Sequence, residues 1–396
     1  MASIVDTSVK HAYSSMAGAP AINGTAGSLI AALDAFLVTG WGSKSVDSAV
    51  ISNGVCRLSF ASGKSAAEIH SVIQVSGATP AGLNGEQRVT AVANGWVEFK
   101  TALPDGAVSG SISFKMAPAG WVKPFAGANL AVYQSQDPQS TRMFLHVDDT
   151  GSVSARVVGF ESMTDVSSGA GAFPSLLQMP GGGYWAKSAQ ATAAPVNWVL
   201  FADSRKFILH IAPNTSVSAN YSGGVTRGFG DDIHFRPSGD AYACSLSFAN
   251  TSALGNQGAG GLDGSAVALQ AMPRNYTGLG SSVLHVTAPF SGNSNTVSGM
   301  DSAFGAFPSP VDGSLRLTKK YLAESVQAAP RCELPGLFHV SQTSVFSTFK
   351  TGDIIPGTGT LAGRRLMALT PSLAYPDAPT AGSAGVSFVD VTGPWR

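Results

Sequence analysis

Asn-Gly pairs at Asn53-Gly54, Asn84-Gly85 and Asn94-Gly95 stand between short runs of alternating apolar and polar residues. Asn and Gly tolerate the positive φ that a two-residue turn demands, so each pair is a hairpin signal that commits its neighbours to antiparallel pairing. Ala49–Ser52 and Val55–Phe60 flank the first pair. Ile69–Val75 precedes the second, which turns into Arg88–Ala93, and the third leads to Trp96–Thr101. A further turn, Leu103-Pro104-Asp105-Gly106, comes before Ser111–Met116. This density of strands and turns predicts a small β-barrel or sandwich over residues 43–118.

Ala117-Pro118-Ala119-Gly120 reads as a joint, and the alternating pattern resumes beyond it. The clearest strands are Leu130–Gln134, Met143–Val147, Val153–Gly159, Trp198–Ala202 and Lys206–Ile211. Later runs are Asp232–Phe235, Ala241–Phe248, Val283–Thr287, Leu315–Thr318, Leu337–Ser341, Arg365–Thr370 and Val386–Val391. Gly/Ser-rich stretches at 253–264 and 292–300 are expected to be surface loops, and a helical turn is allowed near Lys320–Ala328. No fixed-period repeat occurs, which disfavours solenoids and propellers. Residues 119–396 are therefore expected to form a larger, loop-rich β-sandwich.

Residues 1–42 differ from the rest. The first 25 are small, polar and aperiodic and read as a loose arm. Thr25–Gly40 then predicts the one convincing helix, amphipathic and short, with Leu29, Ile30, Leu33, Phe36 and Leu37 on one face. That stripe must be buried against the chain's own β domains or against a neighbouring subunit. The expectation is that 1–42 form a docking and oligomerisation element, with these five residues as assembly contacts. Deleting the element should then leave 43–396 soluble and folded. The fold class is all-β, with one helix before it.

Lys and Arg number 24, Asp and Glu 24, and charged residues are only 12% of the 396. Nucleic-acid binding needs a basic stripe and anionic membranes need basic clusters, so neither partner is expected. No run approaches the roughly 18 apolar residues of a membrane span, and Leu29–Val38 has the wrong flanks for a signal peptide. Synthesis in the cytoplasm without standard export is the expectation. Cys56, Cys244 and Cys332 are odd in number and lack ligand spacing, so they are expected to be buried thiols. The sequons at Asn23, Asn214, Asn220, Asn250 and Asn275 carry no weight without an export signal.

Chemical motifs are sparse. Gly63-Lys64-Ser65 lacks the upstream glycine of a phosphate loop, and neither a GxSxG elbow nor an HExxH helix is present. His146 and Asp148, with Asp149 beside them, lie two apart on a strand, and Asp231, Asp232 and His234 form a second cluster. Either has the donor types for a divalent ion, but Asp148-Asp149-Thr150-Gly151 also reads as a polar hairpin turn. A glycosidase would need two carboxylates in one cleft, drawn from Asp148, Asp149, Glu161, Asp165, Asp203, Asp231 and Asp232. Tyr184 and Trp185, after three glycines, could offer a stacking platform for a sugar or anchor a loop to the core. No catalytic residue, metal or cofactor is expected.

Several strings carry a resemblance: GTAGSLI running to Leu33-Asp34, AGLNGEQRVT from Ala81, and Lys123-Pro124-Phe125 to Tyr133. Val147–Gly151 through Met163-Thr164-Asp165-Val166 and the closing FVDVTGPW from Phe388 continue it. In these the chain resembles a family of uncharacterised structural proteins of tailed bacteriophages and prophages. The resemblance implies a virion component made in the host cytoplasm, with no family activity to carry onto individual residues. A non-enzymatic tail, neck or baseplate part in symmetric copies is the first expectation. A head-decoration or fibre protein, or a module binding a host glycan or receptor, is the alternative. Partners would be other virion proteins and copies of itself.

Overall fold

The computed structural model describes residues 3–61, 63–213, 224–253, 261–263, 267–292, 298–326, 328–370 and 385–396. The protein is all-β with one short helix, Ser28–Leu33, which continues as a π-helical turn over Asp34–Thr39. An eight-stranded antiparallel sheet is confined to residues 44–116, and its hairpin Ser48–Ser52/Val55–Ser59 closes over Asn53-Gly54 as the turn chemistry demands. Asn84 serves differently. Its φ is −73°, and its amide brackets the backbone of Ala78 from both sides, bridging the loop between Val72–Ser76 and Gly85–Ala93.

Residues 119–396 divide between two main sheets. Five strands, Trp121–Gly127, Leu130–Ser135, Phe144–Asp148, Ser154–Phe160 and Gly183–Ala186, form an antiparallel sheet in chain order. Most of the rest builds a thirteen-stranded sheet around Asn197–Ala202, Lys206–Ala212 and Val225–Asp231. In these three strands nearly every residue is buried, because both faces are covered. Side chains alternate across a strand. Leu200, Phe207 and Leu209 therefore join a core shared with the eight-stranded sheet, the helix and the five-stranded sheet. Val199, Phe201 and Ile208 point the other way, into a second core with Met272, Leu322, Leu337, Met367 and Val389. Cys56, Cys244 and Cys332 are free and buried.

Residues 1–42 correct the expectation of a loose arm. Lys10–Tyr13 pairs antiparallel with Asn197–Ala202, in the register Lys10↔Ala202 to Tyr13↔Val199, and so becomes an edge strand of the largest sheet. Val9, Ala12, Met16 and Ile22 are buried around it. The helical stripe is buried as well. Leu29, Leu33 and Leu37 have no exposure, Phe36 has 1%, and Ile30 is half-buried against the same core. Leu29, Leu33, Phe36 and Leu37 are thus covered by the chain's own sheets and not open to a neighbouring subunit, while Ile30 keeps part of its surface exposed. Short-range periodicity established that the stripe must be covered but not by what.

Two smaller corrections have the same origin. Of the turn allowed near Lys320–Ala328, the residues up to Ala323 belong instead to strand Leu317–Ala323, paired with Cys332–Val340, and the Ala328 amide closes a turn onto the Ser325 carbonyl at 3.0 Å. The stretches expected as surface loops lie partly outside the described residues, yet Leu262, Asp263 and Ser298 within them are buried. Gly40 ends the helix at φ 70°, where a Cβ would stand 2.2 Å from the Met116 carbonyl. Among the described residues no helix is long and apolar enough to cross a membrane.

Candidate functional site

The sequence pointed to carboxylates first, and the structure assigns each of them a local task. Asp148 Oδ1 accepts the Thr150 amide at 3.0 Å and the Thr150 hydroxyl at 2.6 Å, which makes the polar turn that its sequence suggested. Its neighbour Asp149 turns inward and is fully buried. The Asp149 carboxylate accepts the amides of Leu29 and Ile30 at 2.8 and 3.2 Å, capping the helix from a distant hairpin, and pairs with Lys187. Lys187 also donates to the Thr25 carbonyl at 2.8 Å. Burial pushes the Asp149 carboxyl above its ordinary range, while the Lys187 ammonium and the helix amides pull it back.

The second cluster is likewise occupied. Asp231 accepts the Thr141 amide at 2.9 Å and the Thr141 hydroxyl, and its burial raises its pKa to about 6. Asp232 pairs with Lys206, both without solvent exposure, and Lys206 also donates to Ser245 Oγ at 3.0 Å. His234 sits on the surface strand Ile233–His234. Asp203 holds Arg396 at 2.9 Å, Glu161 holds Arg274 at 2.8 Å, and Asp165 accepts the Ser167 amide at 2.7 Å. Among the described residues no group of three or more His, Cys, Asp or Glu side chains is placed to hold a metal ion.

Tyr184 and Trp185 do not form a joint platform, because neighbours on a strand face opposite ways. Trp185 is fully buried and donates its indole N–H to the Ser247 carbonyl at 2.6 Å. Tyr184 stays on the outer face, but the Arg156 guanidinium lies 3.9 Å above its ring and fills the stacking position. Arg156 is held there by the carbonyls of Gly181 and Pro180.

The outer face of the five-stranded sheet nevertheless brings some predicted residues together. His146, Asp148 and Arg156 line a cavity of about 400 Å³ with Val158, Phe160 and the 169–182 loop. Burial lowers the His146 pKa, and Asp148 only partly offsets this, so the imidazole there favours its neutral form. At the loop's tip Leu176 and Leu177 are 70% and 99% exposed. The floor can accept hydrogen bonds from a small polar ligand, and the rim is apolar.

Sequence reading missed a second concavity. Phe235, Arg236, Asp240, Tyr276, His285 and Glu324 converge from segments almost 90 residues apart around a cavity of about 500 Å³. Their one local signal was bulky rings, Phe235 and Tyr276, in polar, turn-rich surroundings. Comparison of the chain with protein-family models and with curated proteins finds no match.

Proposed function

We propose that this protein is a non-enzymatic structural component of a tailed-phage virion, a tail, neck or baseplate part assembled in symmetric copies. A charge-poor chain with bare apolar side chains at its loop tips carries this reading. Charged residues are 12% of the chain, and Leu177, Val311, Leu176 and Leu279 are 99%, 89%, 70% and 70% exposed. Such residues on a neutral surface favour association, and fixed neighbours would cover them. The interior is built for rigidity. Its carboxylates hold ion pairs, caps and turns, and its core is continuous from residue 12 to residue 271. Partners on this reading are other virion proteins and further copies of the chain, with neither nucleic acid nor a membrane required. A head-decoration or fibre position is the structural variant of the same proposal.

Mass spectrometry and cryo-EM of purified particles from a host carrying the gene test it. The expected result is density for the all-β body in symmetric copies, with the Leu176-Leu177 tip against a neighbour. Absence of the protein from purified particles overturns the proposal.

A further inference from the structure

Four strand ends meet at the cavity around His285. Phe235 and Arg236 follow Ile233–His234, Tyr276 follows Gln270–Met272, Glu324 follows Leu317–Ala323, and Arg331 precedes Cys332–Val340. A second cavity of about 510 Å³ shares Arg236, Asp240 and Tyr276 with the first and extends it past Tyr242 and Thr277. Together they form one open cleft.

The floor of the cleft is fixed and polar. Arg331 grips Asp240 through Nε at 2.9 Å and Nη2 at 3.2 Å, and Arg331 Nη1 donates to the Arg274 carbonyl at 2.7 Å. Both side chains are almost fully buried, so their charges cancel within the wall. His285 lies beside them without solvent exposure. Its ring interacts weakly with the Val283 backbone, and neither nitrogen closes a hydrogen bond of standard geometry. Burial, and then the Arg331 charge, lower its pKa to about 4, so the imidazole is neutral and offers one donor and one acceptor.

The rim is aromatic and exposed. Tyr276 is 55% and Phe235 43% exposed, and Phe235 is steadied edge-on by Phe290 at 6.2 Å. Arg236 Nη1 donates to the Tyr276 carbonyl at 2.7 Å, which ties its guanidinium to the backbone at Tyr276. Glu324 supplies an exposed carboxylate of opposite sign. With both signs present at the rim and a neutral pair in the wall, the cleft selects for no net ligand charge. Flat apolar rings next to planar bidentate groups suit a molecule with apolar C–H faces and vicinal hydroxyls.

We propose that this cleft binds a short, neutral oligosaccharide, with Tyr276 and Phe235 stacking on sugar faces and Arg236 and Glu324 bonding to hydroxyls. The site stands apart from the assembly reading above, because it can be tested on the isolated chain.

The purified protein is applied to an array of neutral and acidic oligosaccharides from bacterial and eukaryotic surfaces, and hits are titrated by calorimetry. At least one neutral glycan should bind. Tyr276→Ala and Arg236→Ala should each weaken it tenfold or more, while Lys64→Ala, on the eight-stranded sheet's side of the chain, leaves it unchanged. Tyr276 and Arg236 are exposed, so both variants should keep the wild-type melting temperature. Failure of every neutral glycan, binding confined to acidic glycans, or binding that survives both substitutions overturns the proposal. None of these outcomes bears on whether the protein is found in particles.

Discussion

Asp149 and Lys187 form an ion pair in which neither side chain touches solvent, and the same carboxylate receives the first free amides of the helix at Leu29 and Ile30. Taking two ions out of water is costly, and their mutual attraction offsets the cost only when the remaining hydrogen-bonding capacity is also used. Here it is used. The amides satisfy the carboxylate, the Thr25 carbonyl accepts a hydrogen bond from a second N–H of the ammonium, and the positive end of the helix dipole lies against the negative group. The contact joins three separate parts of the chain: the helix, the 144–160 hairpin and the strand ending at Ala186.

Removing one partner leaves a buried charge uncompensated. Lys187→Met and Asp149→Ala should each destabilise the protein by about 3–5 kcal/mol. The double substitution should cost less than the sum, with a coupling of about 0.5–3 kcal/mol. Urea unfolding of the four proteins closes the cycle, and additive single effects would show that the two side chains act independently.

Deletion of residues 1–42 should prevent folding of the remainder, not merely release it from a partner. The deletion removes the strand Lys10–Tyr13 and the fully buried side chains of Val9, Leu29, Leu33 and Leu37. At about 1.5–3 kcal/mol for each large buried side chain, the loss rivals the roughly 5–15 kcal/mol that stabilises a typical domain. Expression of 43–396 should yield insoluble protein or a chain without a cooperative melt. A soluble fragment melting within a few degrees of the full chain would contradict the shared core.

The contrast between Asn53 and Leu29 shows what was legible beforehand. A hairpin is decided by residues adjacent in sequence, so Asn53-Gly54 could be read directly, as could most strands of the 44–116 sheet. The stripe at Leu29, Leu33, Phe36 and Leu37 was visible, but the core that covers it draws on residues as distant as Ala271, and no periodicity names a partner that far away. Lys10–Tyr13 was missed because a four-residue strand borrows its order from Asn197–Ala202. Asp149 and Asp148 look alike in sequence, and only the pleat sends one inward. The saccharide cleft was least legible, since its rings and its floor come from turns and strand ends spread along the chain.

Arg88 should not tolerate lysine. Its guanidinium donates to five backbone carbonyls: Asp6 at 2.6 Å, His70 at 2.6 Å, Val391 at 2.9 Å, Val9 at 3.0 Å and Thr392 at 3.1 Å. It thereby ties the eight-stranded sheet to segments near both ends of the sequence. Lysine carries three donors from a single atom and cannot reach so spread a set. With about 1–3 kcal/mol for each buried group left unpaired, Arg88→Lys should lose at least about 3 kcal/mol. Thermal melts of the variant read the loss, and an unchanged melting temperature would mean that water replaces the missing contacts.

Mild acid should destabilise the fold. His11, His210, His285 and His339 are all buried, and desolvation is the first cause lowering each, His11 to about 3 and the others to about 4. Between those values and the ordinary 6.5 the unfolded chain binds more protons than the folded one, so stability rises with pH there. It is intact above about 6.5 and falls as pH drops toward 4, each histidine contributing about 1.4 kcal/mol per pH unit well inside the window. Asp231 works in the opposite sense. Raised to about 6, it takes up a proton in the folded state first and adds stability as pH falls from 6 to its unfolded value. Asp149 and Asp263, whose carboxyls burial also raises, act in the same sense as Asp231, and the histidines set the net direction. Urea midpoints at half-unit steps from pH 8 to 5 measure this. His11→Phe keeps the ring and removes the titrating nitrogens, so it should flatten the slope by about one histidine's share. A stability that stays level from pH 7 to 5, in either protein, would contradict the burial of neutral imidazoles.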